Sequence, residues 1–212
     1  MAIGVSRLLG YVLPQNFNAP YIATTFQTFW RRWHITLSLF LRDYLYIYLL
    51  KGNRVGQFRS YLNVLITMLL GGLWHGASWN FIIWGGIHGS ALVVEKAAGL
   101  EVPRAFPIRA LWWLVVQITV IVAWVFFRAP TLHGAASFVY RMLLPGGSGP
   151  DPQLLYATIF MIPMLAHHVA RIPALNVNWM CHWAIQGAIA GISLMLAILW
   201  YEYPAAFIYF NF

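Results

Sequence analysis

The chain has 212 residues, of which 61% are hydrophobic, 17% aromatic and only 8% charged, and its mean hydropathy is +0.68. Soluble domains carry about 25% charged residues, so this composition excludes an ordinary water-solvated domain and predicts an all-α integral membrane protein. The formal charge of +8 does not point to nucleic acid. The basic residues flank apolar runs (Lys51, Arg54 and Arg59; Lys96, Arg104 and Arg109; Arg128 and Arg141), as expected for contacts with lipid headgroups.

In chain order, residues 1–13 are short and hold Arg7, without the long apolar region and cleavage site of a signal peptide. Pro14-Gln15-Asn16-Phe17-Asn18-Ala19-Pro20 is a turn-rich break. Residues 24–50 are aromatic and apolar but carry Arg31, Arg32, Arg42 and Asp43. Read as one helix, they place Trp30, His34, Leu37, Leu41 and Leu45 on one face, and Arg31, Ser38 and Arg42 on a neighbouring stripe. This predicts a helix lying along or dipping into the membrane interface.

Five apolar runs follow, at 61–74, 79–94, 110–127, 154–169 and 180–201. A simple span takes about 20 apolar residues, range about 17–25. The third and fifth meet this, the fourth is marginal, and the first two span only if their edges extend or the chain bends. Lipid offers the backbone no hydrogen-bond partner, so these are helices or protein-covered irregular segments. The alternation of an outer-membrane barrel strand is absent. The expected organisation is a single membrane domain over 1–212. Residues 1–58 form its interfacial or re-entrant helices, 59–95 the helices around His75, and 110–212 its C-terminal transmembrane helices.

The residues best suited to chemistry are two histidines in oily surroundings. His34 sits in Phe29-Trp30-Arg31-Arg32-Trp33-His34-Ile35-Thr36-Leu37-Ser38, and His75 in Gly71-Gly72-Leu73-Trp74-His75-Gly76-Ala77-Ser78. Ionisable groups inside a membrane are costly and usually face a cavity. Histidine can sit there neutral and move protons near neutral pH. Gly72 and Gly76, like Gly85 and Gly89, are spaced for close helix packing, and glycines beside His75 leave room near the backbone. His75 reads either as a structural hydrogen-bonding residue or as a catalytic or ligand-binding one. His88 reads as structural or pocket-lining, while His133, His167, His168 and His182 read as interfacial. A metal site from His34, His75 and His88 has no carboxylate nearby in sequence and no HExxH-like spacing to support it, and the lone Cys181 excludes an internal disulfide and a cysteine metal cage. There is no GxSxG elbow, P-loop or GxGxxG after a strand. Asp43, Glu95, Glu101, Asp151 and Glu202 read as loop or segment-edge residues, which argues against an ion-coupled transporter.

These strings, with Leu41-Arg42-Asp43-Tyr44-Leu45-Tyr46-Ile47, Trp84-Gly85, His88-Gly89, Ala123-Trp124-Val125-Phe126-Phe127-Arg128-Ala129 and Phe207-Ile208-Tyr209-Phe210, resemble membrane-bound O-acyltransferases. Within that family the likeness runs to the alginate O-acetyltransferase branch, beside the D-alanyl transferases of teichoic acids, and covers the chain nearly end to end. The resemblance implies a polytopic bundle of tilted helices around a tunnel, with His75 as catalytic residue and His34 as second active-site residue. It implies an acyl donor such as acetyl-CoA or an acyl carrier as substrate, with no bound cofactor or metal. The acyl group would pass from the cytoplasmic side to a polysaccharide or a periplasmic acetyl-transferring partner, in the inner membrane of a bacterium. Trp74, Ser78, Asn80, His88 and Arg42 are the residues expected around the substrates, with Asn80 or His34 orienting the base or polarising the carbonyl. Family members are about twice this long, so Met1 reads as an internal methionine of an N-terminally truncated chain. The alternatives are a truncated module that binds donor or partner without turnover and, third, a lipid or glycan transporter.

Overall fold

The computed structural model describes residues 2–50, 56–99 and 106–144, with Gly191 beyond them. The expected runs at 154–169 and 180–201, and His167, His168 and His182, lie outside the described residues. The chain divides into two compact units, Met1–Gly146 and Gly147–Phe212, and the elements described belong to the first.

Every regular element among the described residues is helical. A short helix α1 (Ala2–Leu8) leads into an extended stretch and a 3-10 turn at Pro20–Ile22. There follow α2 (Phe26–Trp30), α3 (Ile35–Phe40), a π-helical turn at Leu41–Tyr46 and α4 (Ile47–Leu50). The long helices are α5 (Gln57–Leu73), α6 (Trp79–Ala97) and α7 (Phe106–Arg128), and α8 (Leu132–Met142) closes the unit.

The single helix expected over 24–50 is broken. Between α2 and α3 the chain turns, and His34 takes a left-handed backbone conformation with φ 44°, which non-glycine residues seldom adopt. The stretch around Asn16 and Asn18 holds that turn. Asn18 N–H donates to the Arg32 carbonyl (2.9 Å) and Ile35 N–H to the Asn16 carbonyl (2.8 Å). The Asn16 side-chain oxygen accepts from both the backbone N–H and the hydroxyl of Thr36, each at 3.0 Å. Cross-segment hydrogen bonds thus replace helical ones, and the turn-rich break of the sequence acts as a clip.

Helices α5 and α6 form an antiparallel hairpin whose axes approach closely at glycines. A Cβ on Gly72 would collide with the Phe81 carbonyl, and one on Gly85 with the Met68 carbonyl. At Gly89 a Cβ would stand 3.0 Å from Leu65 and 3.1 Å from Met68. This is the small-residue packing expected of membrane helices. Gly76 has a different task from Gly72: it lies beyond α5 in the hairpin turn, at φ 148° and against the Phe81 ring. The Ser78 hydroxyl caps α6 by accepting from Asn80 N–H. Opposite the hairpin, the π-helical turn sets Leu41 against Gly71. Lys96 at the end of α6 donates to Ser60 (2.6 Å) and Tyr46 (3.1 Å), tying α6 to α5 and the π-helical turn.

The buried core joins Ala23, Phe26 and Phe29 to Val116 and Val120 of α7, and the Trp113 indole N–H donates to the Tyr21 carbonyl (2.8 Å). Helix α7 has 23 residues and a mean hydropathy of 2.2 in its most apolar window, of which only 17% is buried. Among the described residues it is the one helix long and apolar enough to cross a membrane. With 17 residues, α5 reaches only about 26 Å at 1.5 Å per residue, short of a hydrocarbon core of about 30 Å. Glu95 and Lys96 interrupt the apolar run of α6 at its end. Helix α8 had no counterpart in the sequence reading; the Thr131 hydroxyl caps it by accepting from Gly134 N–H at 3.1 Å.

The seam separates two adjacent glycines. Gly85→Ala should destabilise the protein by about 1–3 kcal/mol, the usual cost of overpacking. Gly86→Ala should be neutral or stabilising by up to about 1 kcal/mol from helix propensity, because a Cβ there meets only Leu69 at 3.7 Å. Thermal unfolding of the two variants in detergent checks this; equal midpoints would refute the seam.

Candidate active site

The two histidines, 41 positions apart in sequence, are brought into one row of rings. His34 sits in the turn before α3 and His75 in the turn after α5. Trp74 lies between them: its ring centroid is 6.2 Å from that of His34 and 4.9 Å from that of His75, edge-on to both. Aromatic pairs at such spacings favour edge-to-face contact. The row continues from His75 to Trp84 (5.3 Å) and from Trp84 to His88 (5.0 Å). Phe127 of α7 closes on His75 at 4.9 Å, and Phe17 on His34 at 5.9 Å.

His88 is 1% exposed, stacked parallel on Phe29 with an interplanar angle of 6° and edge-on to Trp30. It belongs to the wall that fixes α2 on α6. Asn80, 4% exposed, spends its amide N–H on the Ala129 carbonyl (2.7 Å) and ties the start of α6 to the end of α7. Ser78 caps α6, as described. Arg42 is exposed and engaged by Asp43 at 2.6 and 3.2 Å; this partner holds the Asp43 carboxyl below the usual carboxylate range. Among the described residues, no hydrogen bond or ring contact joins Arg42 to the histidines.

The cluster is short of hydrogen-bond partners. Among the described residues, the Nδ1 atoms of His75 and His88 and the indole nitrogens of Trp30 and Trp84 are buried without one. Buried polar atoms are normally satisfied, and each unmet one costs about 1–3 kcal/mol. A cavity of about 430 Å³ lies beside the His75 turn, lined by Leu73, Ala77, Ser78, Trp79, Asn80 and Leu132. A second, of about 630 Å³, runs between α6 and α7 along Ile83, Gly86, Ile87, Ala91, Trp112 and Val115.

Three contributors went unread in the sequence. Phe127 and Trp84 stood in quoted motifs without a role, although aromatic residues at successive helical turns are a wall signal. Asn16 stood in the turn-rich break; an asparagine's readiness to hydrogen-bond nearby backbone was the available clue.

The family model of the membrane-bound O-acyltransferases matches residues 1–139, and the chain belongs to that family. It is 51% identical over 138 residues to the probable alginate O-acetylase of Pseudomonas putida, covering 64% of this chain and 28% of that protein. It is 48% identical over 146 residues to the peptidoglycan O-acetyltransferase of Helicobacter pylori, covering 68% and 27%. To the teichoic acid D-alanyltransferase of Bacillus subtilis it is 34% identical over 93 residues, covering 41% and 24%. The chain therefore spans about a quarter of the length of these curated relatives. The matched stretch includes both histidines.

If Asn16 clips the His34 turn, Asn16→Ala should speed tryptic cleavage after Arg31 and Arg32 several-fold, while Asn16→Asp, which keeps the acceptor, should not. Equal cleavage of Asn16→Ala and the parent chain would show that the turn stands without the clip.

Proposed function

We propose that this chain carries the catalytic part of a multi-pass membrane O-acyltransferase that moves an acetyl group from a cytoplasmic donor toward a hydroxyl of an exported polysaccharide. The supporting observation is the row His34–Trp74–His75, in a chain of this family. Three relatives carry alginate, peptidoglycan and teichoic acid in their names as acyl acceptors, which favours a polysaccharide acceptor. A bacterial inner membrane location fits donor and acceptor on opposite sides.

In this reading His75 is the general base. It takes the proton from a hydroxyl as the oxygen attacks the acyl carbonyl; the C–O bond forms, the bond to the donor's leaving group breaks, and that group leaves with the electron pair. A positioned histidine contributes typically 10²–10⁴-fold. His34 polarises the carbonyl or orients the acceptor, Trp74 fixes the spacing between them, and the aromatic wall limits water that would hydrolyse the donor. Asn80 and Ser78 shape the turn that presents His75. A donor such as acetyl-CoA or an acyl carrier, and a periplasmic partner that receives the acetyl group, complete the reaction.

Cells carrying the chain should add O-acetyl groups to their secreted polysaccharide. A His75→Ala copy at equal membrane abundance should lose at least about 10²-fold of that transfer. Retained acetylation in the mutant refutes the base assignment. Its absence with both copies transfers support to the second reading, a membrane module that binds donor or partner without turnover.

A further inference from the structure

Glu95 was expected at a segment edge. The structure places it there, in the last turn of α6, and buries it to 7% exposure. Its two carboxylate oxygens accept from the backbone N–H groups of Phe26 (2.5 Å) and Gln27 (3.0 Å). Among the described residues the only carboxylate ion pair is Arg42–Asp43, so Glu95 is not held by a cation. A buried carboxylate is expensive unless hydrogen bonds compensate it, and those bonds here come from the first turn of α2. The first N–H groups of a helix have no partner within it, and Thr25 supplies one further acceptor, to Thr28 N–H (3.0 Å).

Glu95 and His88 lie two turns apart on α6, at i and i+7, and therefore on one face. Both touch α2, Glu95 at its start and His88 at Phe29 and Trp30. Helix α2 has only five residues, too few to be stable by itself. Four residues beyond it stands His34, in its left-handed conformation. The Asn16 clip constrains that turn from one side, and the α6 face sets where the turn begins.

We infer that Glu95 is a positioning residue for His34: its carboxylate anchors the start of α2 on α6, and through α2 it sets His34 against Trp74 and His75. The inference rests on the proposed acyl transfer only for its consequence in turnover. The anchoring itself is a property of the fold and is read without activity.

The test uses the full chain in detergent or membranes, with Glu95→Gln and the shorter acid Glu95→Asp. Glutamine keeps the shape but offers one acceptor oxygen and sets an NH₂ against a backbone N–H. Hydrogen exchange across 24–31 should become at least about tenfold faster in Glu95→Gln, with exchange across α5 unchanged. Modification of His34 by diethyl pyrocarbonate should rise several-fold. If Glu95→Gln does not accumulate, Glu95→Asp carries the same two readouts. Unchanged exchange across 24–31, or unchanged His34 modification, overturns the inference, whatever the activity. The kinetic arm compares kcat with donor KM: Glu95→Gln should lower kcat about tenfold and leave KM alone. An unchanged kcat in a protein that His75→Ala silences also overturns the positioning role. Full transfer by His75→Ala instead removes the base assignment of His75, and the anchoring is then judged by exchange and modification.

Discussion

The site depends on how closely α5 and α6 approach each other. With no Cβ on Gly72 or Gly85, the backbone of each helix rests on a carbonyl of the other. That contact fixes the register of the hairpin, and the hairpin turn presents His75. In a bilayer, burial of apolar surface does not drive helices together, because lipid tails are as apolar as side chains. Close backbone packing must therefore supply the specificity, and a single added methyl group is felt. Gly76 completes the arrangement in the turn itself, where φ 148° and the Phe81 ring leave no room for a side chain.

On this hairpin sits a layer of aromatic rings that is apolar in bulk but carries polar nitrogens at its centre. Ring contacts run from Phe17 and His34 through Trp74, His75 and Trp84 to His88 and Phe29. Edge-to-face packing holds these rings with few degrees of freedom and so places the histidines. In such surroundings hydrogen bonds and dipoles act in a low effective dielectric, where they are stronger than in water. The unpartnered nitrogens are the cost of that arrangement.

Much of this was legible in the sequence, for physical reasons. Composition alone excluded a soluble domain, the quoted strings carried the family, and Gly85 and Gly89 at four-residue spacing marked the seam. Helix α7 was expected at 110–127 and runs from Phe106 to Arg128. What failed to show was everything that depends on partners distant in sequence. Periodicity over 24–50 predicted one helix because the apolar positions fit a 3.6-residue repeat. The hydrogen bonds from Asn16 and Asn18 override that repeat and put His34 in a turn. Glu95 looked like an edge charge because its acceptors' partners, Phe26 and Gln27, lie 69 and 68 positions away. The Asn80 amide N–H likewise meets a backbone carbonyl 49 positions on.

The central claim is that His34 and His75 are neighbours across Trp74 in the membrane-embedded protein. The most direct measurement replaces Cys181 by serine, introduces His34→Cys with Trp74→Cys, and treats membranes with a short bifunctional thiol reagent. Peptide mass then reports the link. A second pair, Trp33→Cys with Trp124→Cys, whose parent rings lie 4.8 Å apart, shows that the reagent reaches the fold. The account predicts efficient intramolecular linkage of both pairs. Linkage of the second pair without the first would place His34 away from the His75 turn and contradict it.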